Sequence, residues 1–205
     1  MDKNIVFVDW DGTLSWSRYW ESLLKTNDTL AKVVSDFFAF EKDMEARWMR
    51  GGLKSEDINK LISQRSGLSE DFLWRTFISD CQKMKVDPEV ISLIKKLKGK
   101  YIVILVTGNM DCFSRFTVPA LGLDKVFNKI INSSHVGYLK TEYDGKTFTD
   151  CFKEYNIENR SKSYLLDDSE KTCLMFNALG GRAMKIDKKE DTITYLKEIL
   201  QKNGV

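Results

Sequence analysis

Near the start of the chain the apolar run Ile5-Val6-Phe7-Val8 passes without a polar break into Asp9-Trp10-Asp11-Gly12-Thr13-Leu14. Every residue of the run is β-branched or aromatic. Such a run suits a strand covered on both faces, as in a parallel sheet. Asp9 and Asp11 then fall at the exit of a buried strand. Charge placed there is costly unless something compensates it. A divalent cation with hard oxygen ligands, Mg²⁺ above all, is the simplest compensation. Gly12 lets the backbone turn sharply right after the pair. The plainer alternative is a strand followed by an acidic turn, since Asp-Gly is a common turn dipeptide.

The 205 residues suffice for one ordinary domain or a core with a smaller insertion. The 32 basic and 30 acidic residues nearly balance, which gives no reason to expect nucleic acid or a membrane surface as partner. Cys81, Cys112, Cys151 and Cys173 are widely spaced and form no C-x-x-C pair, so they read as reduced thiols. The apolar run after Met1-Asp2-Lys3-Asn4 is too short for a signal-peptide core, and no later run is long enough to span a membrane. Together these imply a cytoplasmic protein.

From Ser15 to about Met84 the periodicity is helical. Trp16, Tyr19, Trp20, Leu23 and Leu24 fall on one helix face. A second helix is expected from Asp28 as N-cap, with Leu30, Val33, Val34, Phe37 and Phe38 on its face and Gly51-Gly52 as its stop. Ser55 and Ser69 are the expected caps of two more, the first ended by Gly67. So much helix between two strands is too long for a simple crossover. The tryptophans there read as core of a small bundle, and Arg18, Arg47 and Arg50 as surface charges able to reach a substrate anion.

Asp87-Pro88 starts a further helix that ends at Gly99. Tyr101 to Val106 (YIVILV) is the most apolar strand candidate, and it breaks at Thr107-Gly108-Asn109. A hydroxyl at a strand end, followed by glycine, can bind a phosphoryl oxygen through its side chain and the next N–H groups. Phe113 to Leu121 suggests a helix, and Val126 to Ile131 a third strand. Lys140 and Lys146 follow in the next loop, ahead of a helix over Phe148 to Tyr155. His135 reads as a loop residue. Ser163 to Leu166 makes a fourth strand ending in Asp167-Asp168-Ser169, Arg182 to Ile186 a fifth, and Asp191 to Gln201 a closing helix.

Four segments in order resemble the motifs of the haloacid dehalogenase (HAD) superfamily: Asp9-Trp10-Asp11-Gly12-Thr13, Thr107, Ser133-Ser134-His135-Val136-Gly137-Tyr138-Leu139-Lys140, and Asp167-Asp168. The resemblance implies an α/β fold, a Rossmann-like, mostly parallel sheet with helices on both faces. Residues 1–14 and 87–205 would form the core, and 15–86 an inserted helical cap that closes over the site. It further implies that Asp9 is the nucleophile and Asp11 the general acid/base. Thr107, Gly108, Asn109 and Lys140 would bind the phosphoryl group, and Asp9, Asp11, Asp167 and Asp168 would hold Mg²⁺. Two points stay open at this stage. Lys146 competes with Lys140, since Thr141 stands where the family commonly has Pro, and either residue of the Asp167-Asp168 pair can be the direct ligand.

Asp11 bears on the chemistry. The family's dehalogenases lack an Asp there and use no Mg²⁺, so the resemblance favours a phosphomonoester hydrolase working through an aspartyl-phosphate on a small phosphorylated metabolite. Alternatives are a phosphomutase, a phosphonate hydrolase or a non-catalytic binding protein on the same fold. A phosphonate hydrolase usually recruits a cap lysine, and Lys25, Lys32, Lys54 and Lys60 lie in no apolar stretch that would depress their pKa.

Overall fold

The computed structural model describes residues 3–202. Its centre is β1 (Ile5–Val8), and the pleat assigns its residues to two cores. Ile5 and Phe7 face one side, where Phe7 meets the rings of Phe148, Phe152 and Phe176 edge-on at 5.0, 5.8 and 5.6 Å. Val6 and Val8 face the other, packing with Leu93, Ile94, Leu196 and Ile199. Burying both faces is what the unbroken apolar run requires.

Four more strands flank it: β2 (Ile102–Thr107), β3 (Lys129–Asn132), β4 (Tyr164–Asp167) and β5 (Arg182–Lys185). All pair in parallel, in the order β3-β2-β1-β4-β5. The two strands beside β1 therefore end next to it, and the loops after all three open at one edge of the sheet. Ligand sites of open α/β sheets lie at that edge.

The helices before β2 are α1 (Glu21–Leu24), α2 (Asp28–Phe40), α3 (Lys42–Met49), α4 (Ser55–Ser66), α5 (Glu70–Gln82) and α6 (Pro88–Leu97). After β2 come α7 (Val118–Leu121), α8 (Leu123–Val126), α9 (Ser133–Val136), α10 (Lys146–Glu154), α11 (Glu170–Ala178) and α12 (Lys189–Gln201). α6 and α12 cover one face of the sheet, α10 and α11 the other. α1 to α5 enclose a third core around Trp20, Phe37, Trp48, Ile62 and Phe77, to which Met110 and Cys112 of the loop after β2 also belong. All four cysteines are buried free thiols. Among the described residues no helix is long and apolar enough to cross a membrane.

Several local expectations change. Ser15 to Trp20 is not helical. The Trp10 carbonyl accepts the N–H groups of Thr13, Leu14 and Ser15, and the Ser17 hydroxyl accepts the Lys85 N–H at 3.0 Å. Trp20 then sits in the left-handed region at φ 54°, so helix begins only at Glu21. Trp16 is left largely exposed. The cap of α2 is Asn27, whose Oδ1 accepts the Leu30 N–H at 2.8 Å, and the helix breaks at Glu41 before α3. Phe113–Thr117 is a π-turn, continued by α7. Val126 ends the single turn α8 rather than starting a strand, because Asn128 Oδ1 takes the Val103 N–H at 2.9 Å and pairing starts after it.

Ser55 opens α4 instead of capping it, and its bonds go to the other side of the molecule. Asp111 Oδ1 accepts from the Ser55 N–H (3.1 Å), the Ser55 hydroxyl (2.6 Å) and Trp48 Nε1 (3.1 Å), while Asp111 Oδ2 pairs with Arg115 at 2.7 Å. Nearby, the Thr117 hydroxyl donates to the Cys81 carbonyl at 2.9 Å and the Ser133 hydroxyl to the Met49 carbonyl at 2.6 Å. Burial acts to raise the Asp111 carboxyl, but bonds from Ser55, Arg115 and Trp48 outweigh it and hold the group below the ordinary carboxylate value.

Asp111→Ala leaves the buried Ser55 N–H and hydroxyl without their acceptor and Trp48 Nε1 with only the Ser55 oxygen at 3.2 Å, so it should cost about 2–4 kcal/mol of stability, read as a shift of the urea midpoint. The sign of the pH dependence follows from the lowered pKa. The stabilisation is complete above the ordinary Asp value of 3.8 and is lost as pH falls through the lower folded value. The gap between wild type and Asp111→Ala should therefore close in acid.

Candidate active site

β1 delivers Asp9 to the edge of the sheet, and the Asp9 N–H donates to the Leu166 carbonyl at 2.9 Å, tying it to the end of β4. The carboxylates of Asp9 and Asp167 share one cation: Lys140 Nζ lies 2.7 Å from Asp9 Oδ2 and 2.6 Å from Asp167 Oδ2. All three side chains are almost fully buried. Asp167 Oδ1 also accepts the Ser169 N–H at 2.9 Å. Asp168 turns the other way, toward Gly12. A Cβ built on Gly12 would stand 2.5 Å from Asp168 Oδ2, and the φ of +67° there is one glycine adopts readily. Oxygens of Asp9, Asp167 and Asp168 lie within 4.8 Å of one another.

Three carboxylates thus face a single ammonium, and the site is short of positive charge. Burial pushes the Asp9 carboxyl up to about 7, with Asp167 adding to the rise and Lys140 opposing it. Burial acts to lower Lys140, but Asp9 and Asp167 outweigh it and hold its proton more firmly than usual. Asp168 is raised by burial and then by the charge of Asp167. Asp9 Oδ1 is buried with no hydrogen-bond partner, as is Thr107 Oγ1 at the end of β2. A close set of oxygen donors, one of them orphaned, fits a hard divalent cation such as Mg²⁺.

Other expected site residues lie elsewhere. The Asp11 carboxylate does not join this group: Gly12 N–H closes a turn onto the Ser15 carbonyl at 3.0 Å, and Arg18 Nη1 meets Asp11 Oδ1 at 2.7 Å in the open. Gly108 has room around it, since a Cβ built there would meet only Leu139 Cδ2, at 3.9 Å. Asn109, expected to bind substrate, is already engaged. Its N–H donates to Ser133 Oγ at 2.9 Å, and its Oδ1 accepts from the Tyr19 hydroxyl at 2.5 Å and the Met110 N–H at 2.8 Å. Lys146 opens α10 on the surface, where it pairs with Asp150 at 2.5 Å. His135 is exposed. No local pattern marked Tyr19 or Asp111 as part of the site, and Ser133 opened a motif segment without a role of its own; their partners are far away in the chain.

A cavity of about 340 Å³ adjoins the site. Trp10, Asp11, Gly108 and Asn109 form its floor, and Leu24, Val34, Phe38 and Met49 of the helical segment its walls. Trp10 is itself buried against Phe113, with ring centroids 5.0 Å apart, which fixes the turn between Asp9 and Asp11.

The structure is similar to that of a HAD family enzyme from Bacteroides thetaiotaomicron, with a TM-score of 0.72 at 17% identity, covering 92% of this chain and 96% of that one. The same enzyme in complex with magnesium and inorganic phosphate gives a TM-score of 0.66 at 15% identity, over 91% and 96% of the two chains. A 2-haloacid dehalogenase from Pseudomonas syringae pv. Tomato gives 0.64 at 15% identity, over 98% and 100%. At such identities the likeness shows the fold. No curated protein matches the chain. The family described as "Hydrolase: haloacid dehalogenase-like hydrolase" matches residues 3–180, which also span the four motif segments, and the chain belongs to the haloacid dehalogenase-like hydrolases.

Proposed function

We propose that the protein is a Mg²⁺-dependent phosphomonoester hydrolase that works through an aspartyl-phosphate on Asp9. The observation that carries this reading is the buried group of Asp9, Asp167 and Asp168 around one ammonium, with Asp9 Oδ1 unpartnered. Asp11 supports phosphoryl transfer over dehalogenation, which has no leaving-group oxygen to protonate. The magnesium and phosphate complex of the Bacteroides enzyme agrees with it.

On this reading Asp9 and Asp168 would hold Mg²⁺, since both oxygens of Asp167 already have partners in Lys140 and Ser169. Mg²⁺, when bound, supplies positive charge against the phosphoryl oxygens. The Asp9 carboxylate attacks phosphorus, and the ester P–O bond breaks as the leaving oxygen takes the Asp11 proton. Asp11, now ionised, removes a proton from water. The resulting hydroxide attacks phosphorus, and the bond to Asp9 breaks to release inorganic phosphate. Lys140 holds Asp9 in place and balances the incoming negative charge, while the Thr107 hydroxyl and the N–H groups after it receive a phosphoryl oxygen. Residues 15–86 act as a cap whose apolar walls keep water from the intermediate.

Chelation should abolish hydrolysis of a generic aryl phosphate and Mg²⁺ restore it; turnover indifferent to chelator would remove the metal from the mechanism. Asp9→Asn should remove essentially all turnover. Asp11→Asn should slow alkyl phosphates more than aryl phosphates, whose leaving groups need little protonation. Equal rates for wild type and Asp11→Asn on both would rule out the acid/base role.

The two lysines separate cleanly in kinetics. Lys140→Ala should lower kcat/KM by about two to three orders of magnitude, the size expected for one preorganised electrostatic partner. Lys146→Ala should change it by no more than a factor of about three, as suits an exposed charge. The reverse ranking would transfer the role to Lys146.

A further inference from the structure

Arg18 occupies an unusual place. Its guanidinium pairs with Asp11 while both side chains remain more than half exposed, at 55% and 61%. Together with Ser17 it stands in the wall between two cavities. The inner one is the largely apolar space beside Asp11. The outer one, of about 230 Å³, is bordered by Lys25, Lys83 and Lys85 and by the carboxylates of Glu21 and Asp80.

Those carboxylates are already occupied. Glu21 Oε2 accepts the Arg18 N–H at 3.1 Å, and its Oε1 lies 3.9 Å from Lys25. Asp80 Oδ2 accepts from both the N–H and the hydroxyl of Ser22, at 3.0 and 2.9 Å. No ion pair of Lys83 or Lys85 occurs among the described residues. With Lys25, Lys83 and Lys85 set against Glu21 and Asp80, the side of Arg18 away from the apolar space carries net positive charge, and an anion near its guanidinium is drawn in from that side.

The pair also has a cost for the chemistry proposed above. While Arg18 holds Asp11, that carboxylate stays outside the close group of Asp9, Asp167 and Asp168. A second anion on the substrate that takes the guanidinium would release Asp11 toward the leaving oxygen. The group now on Arg18 is a carboxylate held by one nitrogen, so a substrate carboxylate replaces it like for like, with the rest of the planar fork still available for a second bond.

Resting on the phosphatase reading, we propose that Arg18 determines specificity: the substrate is a phosphomonoester whose leaving group carries a carboxylate close to the ester oxygen, and Arg18 exchanges Asp11 for that carboxylate on binding. The apolar walls of Leu24, Val34, Phe38 and Met49 then cover the remaining body of the leaving group.

The test compares meta-carboxyphenyl phosphate with phenyl phosphate, two esters of similar leaving-group chemistry that differ in the second anion. Wild type should prefer the carboxylated ester by about 10- to 100-fold in kcat/KM, the worth of one charge-assisted contact, expressed mainly in KM. In Arg18→Ala the ratio of the two should fall to near one, and Arg18→Lys should keep part of it. A residue acting only through Asp11 would lower both esters together and leave the ratio unchanged, which would overturn the proposal, as would a wild type that turns over both equally. Binding of the two esters to the Asp9→Asn protein, by calorimetry, decides recognition without turnover: equal affinities there defeat the role of Arg18. Failure of wild type to hydrolyse either ester counts against the phosphatase reading, while the calorimetric difference between Asp9→Asn and Asp9→Asn/Arg18→Ala still judges Arg18.

Discussion

The Lys140 ammonium between Asp9 and Asp167 is the contact on which the rest of the arrangement depends. Two carboxylates at the ends of adjacent buried strands repel each other and are poorly solvated, so neither β1 nor β4 could end where it does without a cation between them. That cation comes from a loop far along the chain, between α9 and α10. The loop is anchored in turn: Arg50 of the segment after α3 grips Glu142 through two nitrogens, at 3.2 and 2.5 Å, and the Leu139 N–H donates to Glu142 at 2.7 Å. One ammonium thus links the central strands, the loop after α9 and the helical segment. Its single charge against three carboxylates leaves the site short of positive charge.

What could be read from the chain alone depended on how local the cause was. β1, β2 and β4 were legible because unbroken apolar runs suffice for buried parallel strands, and their ends placed Asp9, Thr107 and Asp167 at one edge of the sheet. The helices with good caps, at Ser69 and Asp87, start where expected, each cap side chain accepting an N–H of the first turn. Ser15 to Trp20 misled because the apolar spacing of Trp16, Tyr19 and Trp20 imitates a helix face, whereas the Trp10 carbonyl and the Ser17 hydroxyl dictate a loop. The edge strand β3, partly exposed and carrying polar residues, gave too weak a pattern to fix its first residue.

The site itself divides the same way. Residue types at strand ends announced a carboxylate cluster, but the direction in which each side chain turns depends on partners remote in sequence. Asp11 leans on Arg18, a residue that spacing alone left as a surface charge. Asn109 is committed to Tyr19 and Ser133 across the molecule. Asp111 joins Trp48 and Ser55 over separations of 63 and 56 residues, which no periodicity can reveal. Its network seats the helical segment on the loop that follows Thr107, so the walls of the cavity and the floor beneath them share one rigid support.

The third core carries a consequence for anyone who treats the helical segment as a cassette. Its apolar interior is completed by Met110 and Cys112, which the chain supplies from the loop after β2. Cutting out residues 15–86 would uncover that loop, and moving them to another scaffold would leave a gap where two buried side chains belong. Exchange between relatives therefore has to carry the loop along with the helices. The helical segment and the loop after β2 form one packing unit, drawn from both sides of that strand.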